Sequence, residues 1–184
     1  MKVKGTAVKT IPEFITACHK EHYSEWINAL PPELRKIFTN IVKASDWYPI
    51  EDAIIIPTRI MSKLIYNDNT KGAWECGSYS AKITLNGIYK LYVKMSSPGH
   101  IIDRAGRILQ AYYDPSELKV VSKGKNHVTL NITKFSKSDA VTDARIAGWM
   151  VQALELSGCT NVKLDIPQSI SKGNPFTAFV MTWD

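Results

Sequence analysis

The sequence predicts an α+β protein in which an antiparallel β-sheet of about four or five strands packs against a layer of helices. Apolar residues recur at helical spacing through most of the helix-rich region 10–113. Alternating runs typical of strands are concentrated in the sheet-rich region 116–184, where short turns join them. One helix, over 139–157, separates these runs. We expect residues 1–184 to form a single domain, since no linker interrupts the pattern.

The first segment of the chain alternates and predicts a strand over 2–8. Thr10 then has the character of an N-cap, opening a helix that continues to Tyr23. A second helix is expected over 24–30. The run "PPELRKIFTNIVKAS" places two prolines before apolar residues at helical spacing, which predicts a third helix that "DWYP" ends.

The middle of the chain predicts three further helices. The first covers 50–66 and should be kinked at Pro57, because proline removes a helical hydrogen bond. The second covers 73–95 and is interrupted at Gly87. The third covers 98–113. Its apolar face repeats at i, i+3 and i+4 and consists of Ile101, Ile102, Ala105, Ile108, Leu109 and Tyr112.

The last third of the chain predicts two hairpins with a helix between them. The segment "ELKVVSKGKNHVTLNITKF" alternates on both sides of Gly124. A capped amphipathic helix follows, with one face expected in solvent, which starts at Ser138 or Asp139 and ends at Gly158. The segments "TNVKLDI" and "PFTAFVMTW" then form the second hairpin.

The composition excludes several classes of protein. Hydrophobic residues make up 45% and charged residues 22%, as in a globular protein. No apolar run approaches the ~20 residues of a membrane span, and the N-terminus lacks the apolar centre of a secretory signal. Three scattered cysteines, Cys18, Cys76 and Cys159, do not form a disulfide framework. We therefore expect a cytoplasmic location.

The net charge of +6 does not indicate nucleic-acid binding. It arises mostly from lysines, 18 of the 23 basic residues, which are spread along the chain. A protein that binds nucleic acid more often concentrates its arginines and aromatic residues on one face. The charge is explained by solubility and by mild attraction to acidic partners.

Three histidines are the candidate metal ligands. His19 and His22 are three residues apart, which on one helix would place both rings on one face. A zinc site would need further ligands from elsewhere, and a solvated surface explains the pair better. His100 lies in the first turn of the predicted helix 98–113. It could ligate haem iron only from within a hydrophobic pocket with a cation nearby for the propionates.

No motif predicts catalysis. The sequence contains no G-x-S-x-G elbow, P-loop or dinucleotide-binding fingerprint. Cys76 lies among small residues in "AWECGSYSA", where close helix packing is the expected role. Lys71 could lower its pKa, but Glu75 opposes that effect. Cys76 could also line a pocket or accept a lipid. We expect a protein that is not an enzyme.

Several segments together resemble a bacterial domain family of unknown function that is present in many copies in myxobacteria. They are the "G-x-x-V" start, "LPPELR", "SDWYPI", "RAGRILQAYYDP", "IAGWMVQALELSGCTNV" and "KGNPFTAFVMTW", and their order spans nearly the whole chain. The family commonly carries cysteines near the positions of 173–177, which are absent here. It is similar in turn to the fold shared by haem nitric-oxide-binding domains, 4-vinyl-reductase-type domains and TRAPP trafficking subunits.

This resemblance implies a ligand-binding sensor or an assembly module, and it also bears on haem. The haem domains place their histidine about two turns before the end of the helix, where this sequence has Ala105, Gly106 and Arg107. Their Tyr-x-Ser-x-Arg motif on the following hairpin is replaced here by "VVSKGK". The resemblance therefore implies no haem on His100 and no other cofactor.

The sequence thus predicts a non-enzymatic sensory or signalling domain that binds a small hydrophobic molecule or lipid. The alternatives are a TRAPP-like dimer that acts as an interaction module, and a haem-based gas sensor. The expected pocket lies between the two long helices of the middle region and the sheet. Its predicted lining is Cys76, Tyr79, Ile108, Tyr112, Trp149 and Trp183.

Overall fold

The structure, a computed structural model, describes residues 1–86 and 97–184. Its helices, in chain order, are α1 Gly5–Val8, α2 Thr10–Cys18, α3 Tyr23–Ala29, α4 Pro32–Thr39, α5 Ile56–Tyr66, α6 Lys71–Asn86, α7 Pro98–Tyr112 and α8 Ala140–Leu156. Its strands are β1 Lys2–Lys4, β2 Trp47–Pro49, β3 Tyr113–Asp114, β4 Glu117–Lys123, β5 His127–Lys134, β6 Lys163–Asp165 and β7 Thr177–Thr182.

The described strands form two antiparallel sheets, which confirms the predicted α+β class. The larger sheet has the order β4-β5-β7-β6 and contains both predicted hairpins. The smaller sheet has the order β2-β1-β3 and was not predicted. Strand β1 lies within the predicted strand, whereas β2 and β3 are three and two residues long, too short for alternation to show in the sequence. The sheet joins the N-terminus to the segment between α4 and α5 and to the segment after α7.

The N-terminal strand is shorter than the predicted 2–8, and it ends at Lys4. The reason lies at Gly5, whose amide donates to the carbonyl of Asp46 over 2.8 Å. A Cβ at Gly5 would overlap the carbonyl of Lys43, so the backbones approach too closely for another residue. The chain then turns into the short helix α1.

The predicted helix from Thr10 to Tyr23 is also wrong in extent. It ends at Cys18, because His19 has an extended φ of −147° and a short 3₁₀ turn follows. The helix predicted over 31–45 ends at Thr39. There the side chain of Asn40 donates to the carbonyl of Lys36 over 2.8 Å and satisfies the last turn.

The other helices lie close to their predicted ranges. Pro57 stands at the start of α5, and a π-helical turn precedes it over Glu51–Ile55, which accommodates the amide that proline lacks. Helix α6 begins two residues before the predicted 73. The rest of that predicted helix, with its interruption at Gly87, lies outside the described residues. No helix in the described ranges is long and apolar enough to cross a membrane.

Helix α8 is the central element of the core. Most of its residues are buried, and it contacts α6 and α7 as well as β6 and β7. Asp139 caps its start: the carboxylate accepts from the amide of Val141, and its own amide donates to the hydroxyl of Thr142. Arg59 of α5 pairs with the same carboxylate over 2.7 Å. The cap thereby ties α8 to the helical layer.

Candidate functional site

Helices α6 and α8 cross so closely that their backbones touch. A Cβ at Gly77 of α6 would overlap the carbonyl of Arg145 on α8, and a Cβ at Gly148 of α8 would overlap the carbonyl of Trp74 on α6. Only glycine fits at these two positions. The crossing therefore places the side chain of Arg145 next to Cys76 in the interior.

Arg145 is 3% exposed and is held by neutral groups. Its Nη2 donates to the carbonyl of Ala7 over 2.9 Å and to the hydroxyl of Thr10 over 2.6 Å. Its Nη1 donates to the Sγ of Cys76 over 2.9 Å. The buried phenol of Tyr113 also interacts with the guanidinium. This cluster links α1, α2, α6, α8 and β3.

The thiol of Cys76 is completely buried, and burial raises its pKa despite the opposing effect of the Arg145 charge. At neutral pH the group is therefore a thiol, which donates to the carbonyl of Thr10 over 3.7 Å and accepts from Arg145. Burial likewise raises the pKa of the Tyr113 phenol. Both neighbours of the guanidinium are thus uncharged.

An apolar cavity of about 70 Å³ lies next to this cluster, between α7, α8 and the larger sheet. At the ~10–15 Å³ that each water needs, it could hold about five water-sized groups. Its described lining is Ala7, Gly77, Ser80, Ile101, Ile102, Ala105, Ile108, Leu109, Tyr112, Tyr113, Leu118, Leu130, Arg145, Ile146, Trp149, Met150, Ala153, Leu154 and Met181. The amphipathic face predicted for α7 supplies six of these residues.

The six residues predicted to line a pocket divide into two groups. Ile108, Tyr112 and Trp149 lie in the cavity lining. The other three are not in its described lining. Cys76 accepts a hydrogen bond from Arg145, and Tyr79 packs against Phe14. Trp183 is buried near the C-terminus.

Arg145 was missed from the sequence because α8 was predicted to expose one face to solvent. The segment "ARIAGWM" did carry a signal, since a single arginine stands there between apolar and small residues over two helical turns. An arginine in such a segment, on a helix enclosed on several sides, has to find its partners in the interior.

The three candidate histidines are dispersed, and the predicted common face of His19 and His22 does not exist. The ring of His19 is 2.8 Å from the hydroxyl of Tyr66. His22 lies in the 3₁₀ turn, and its ring is 3.5 Å from the carboxylate of Glu25. His100 is exposed in the first turn of α7 and is absent from the described lining of the cavity. Within 1–86 and 97–184, no three His, Cys, Asp or Glu side chains are grouped to hold a metal ion.

The described lining offers no histidine that could serve as the axial ligand of a haem iron. It contains neither histidine nor cysteine, and the two tyrosines and two methionines are the only side chains in it with an atom that could approach iron. A cavity of about 70 Å³ is also small beside a flat macrocycle.

Comparison with known proteins shows the fold. No model of a known protein family matches the chain, and no curated protein matches it. Solved structures do: a Fe(II) unliganded H-NOX protein from K. algicida superposes with a TM-score of 0.72 at 11% identity, over 98% of this chain and 96% of that one. An H-NOX protein from S. oneidensis in the Fe(II)NO state superposes with a TM-score of 0.74 at 10% identity, over 98% and 99%. The chain therefore has an H-NOX-like fold, as its resemblance to haem nitric-oxide-binding domains implied.

Proposed function

We propose that the protein is a non-enzymatic sensory domain that binds a small hydrophobic molecule in the cavity between α7, α8 and the larger sheet. The apolar cavity carries this proposal. Ligand sites are typically concave and mostly apolar, with a few polar groups that orient the ligand. Helix α7 contributes Ile101, Ala105 and Ile108 to the wall, so an occupant would contact the helix that leads directly into the smaller sheet.

The neutral probe 1-butanol tests this proposal, because its five non-hydrogen atoms match the five water-sized groups that the cavity could hold. We expect the protein to bind it with a dissociation constant on the order of 1 mM, as its few heavy atoms allow. Backbone amide shifts measured by NMR during a titration should change around α7 and α8.

The substitution Ala105→Leu should weaken this binding at least tenfold, because the added carbons occupy part of the cavity. The matched control is Ala111→Leu, the same change at an exposed position of α7. It should leave butanol binding within twofold of the unchanged protein. Equal binding by both variants, or no saturable binding by the unchanged protein, would contradict the proposal.

A haem-based gas sensor is the second candidate, and the H-NOX-like fold favours it. The visible absorption spectrum of protein purified from cells separates the two. We expect no Soret band, because the described lining offers no histidine. A Soret band that disappears in His100→Ala would establish the haem sensor instead.

A TRAPP-like assembly module has less support. The exposed large apolar residues of the described chain are scattered, and the two neighbours among them, Val120 and Val121, lie on the edge strand β4. Lys119 and Lys123 flank them on that strand, an arrangement that discourages pairing between sheet edges. We therefore expect a monomer in solution, which native mass spectrometry can measure.

A further inference from the structure

The charge of Arg145 has no carboxylate counter-ion among the residues that the structure describes. A guanidinium remains protonated in proteins, and this one is 3% exposed. No carboxylate of residues 1–86 and 97–184 lies within 4.0 Å of it. Residues 87–96, "GIYKLYVKMS", contain neither aspartate nor glutamate. Burying a charge is expensive unless an opposite charge accompanies it.

The groups that surround Arg145 orient the guanidinium without neutralising it. A carbonyl, a hydroxyl and a thiol accept its three hydrogen bonds, and Tyr113 adds a fourth neutral contact. These four contacts engage at most four of its five N–H groups. The described groups thus leave at least one of its N–H groups without a contact, and a fixed guanidinium in this state can bind an incoming anion.

The cavity reaches this cluster. Arg145 belongs to its lining, and so do Ala7 and Tyr113, which both contact Arg145. The rest of the described lining is almost entirely apolar. The cavity therefore combines one buried cation with apolar walls, which suits a molecule that has an anionic group and a hydrophobic body.

We propose that the cavity binds an amphipathic monoanion, a carboxylate on a short apolar body, with the carboxylate paired to Arg145. This inference rests on the proposed function and specifies the class of ligand. A carboxylate fits because one guanidinium balances its single charge, whereas a phosphate dianion would leave a charge unpaired in an apolar cavity. The volume of about 70 Å³ limits the apolar body to a few carbon atoms.

Butanoate and 1-butanol form a matched pair of probes, because they share a short apolar chain and differ in charge. We expect the unchanged protein to bind butanoate at least tenfold more tightly than 1-butanol at pH 7, measured by isothermal titration calorimetry and by NMR. This comparison needs no substitution. Equal affinities, or tighter binding of butanol, would overturn the inference and leave the proposed function intact. Binding of neither probe would contradict both.

The variant Arg145→Met assigns the preference to one side chain. It should lose the preference for butanoate while it still binds 1-butanol, since the apolar walls remain. The control Arg107→Met makes the same change at an exposed position of α7 and should keep the tenfold preference. If Arg145→Met does not fold, Arg145→Lys serves in its place: a point charge without the planar fork should reduce the preference several-fold. A preference that persists in the folded Arg145 variants would also overturn the inference.

Discussion

At the scale of single residues, α8 carries two buried charged groups with different roles. Arg145 faces the cavity cluster, whereas Asp143, 8% exposed, binds the loop before β7. The carboxylate of Asp143 accepts from the hydroxyls of Ser169 over 2.5 Å and of Ser171 over 2.8 Å. Ser169 is 1% exposed, and its hydroxyl also lies 2.7 Å from that of Ser171, so the carboxylate is the shared acceptor of a buried pair of hydroxyls. Asp143 thus fastens the loop to the central helix.

Asp143→Ala should lower the free energy of unfolding by about 2–3 kcal/mol, because it leaves a buried hydroxyl without its acceptor. Urea unfolding followed by circular dichroism measures this change. The control is Asp103→Ala, which removes an ion pair with Lys123 whose carboxylate is 58% exposed. Exposed pairs contribute little, so we expect a change below ~0.5 kcal/mol. Similar losses in both variants would contradict the role assigned to Asp143.

At the scale of elements, the crossing of α6 and α8 depends on two glycines that each lie against the partner backbone. Gly148→Ala should lower the free energy of unfolding by about 1–3 kcal/mol, because its Cβ would overlap the carbonyl of Trp74 and force the helices apart. Thermal and urea unfolding measure the effect.

Gly99→Ala is the matched control for this prediction. Gly99 lies in the first turn of α7, and the nearest atom to an added Cβ would be 3.5 Å away. Alanine has the higher helix propensity, so this change should be neutral or stabilise by up to ~1 kcal/mol. A loss in Gly99→Ala as large as that in Gly148→Ala would show that the close crossing is not the cause.

The crossing of α6 and α8 also shows which features of the structure can be predicted from the sequence. The spacing of apolar residues predicted the ranges of α7 and of both hairpins, and Asp139 and Gly158 marked the ends of α8. These signals are local in the sequence. Small residues around Cys76 indicated close packing, which the structure confirms. The partner of Cys76 could not be predicted, because Arg145 is 69 residues away and meets it only through the crossing. Half of the predicted pocket residues lie in the lining: Ile108 and Tyr112 belong to the apolar face of α7, and Trp149 belongs to α8.

At the scale of the whole molecule, the buried thiols make the free energy of unfolding vary with pH in the alkaline range. Burial raises the pKa of Cys76 and of Cys159, which is 5% exposed. In the unfolded chain both thiols titrate near their ordinary pKa of about 8.5. Above that pH the unfolded state binds fewer protons than the folded state. The stabilisation is therefore complete below about pH 8.5 and is lost as the pH rises toward the folded-state pKa values.

We expect the free energy of unfolding to fall by about 1–2 kcal/mol between pH 7.5 and 9.5, measured by urea unfolding. Cys76→Ala should lower stability at pH 7.5, where Arg145 loses an acceptor, and should reduce the decline by about half. Gly148→Ala, which leaves both thiols in place, should lower the free energy of unfolding by the same amount at every pH. A curve that stays flat to pH 9.5 in the unchanged protein would mean that Cys76 is already a thiolate beside Arg145. In that case the protein would itself supply the counter-ion, and the cavity would have no reason to select an anion. The pH profile and the butanoate preference therefore test the same charge.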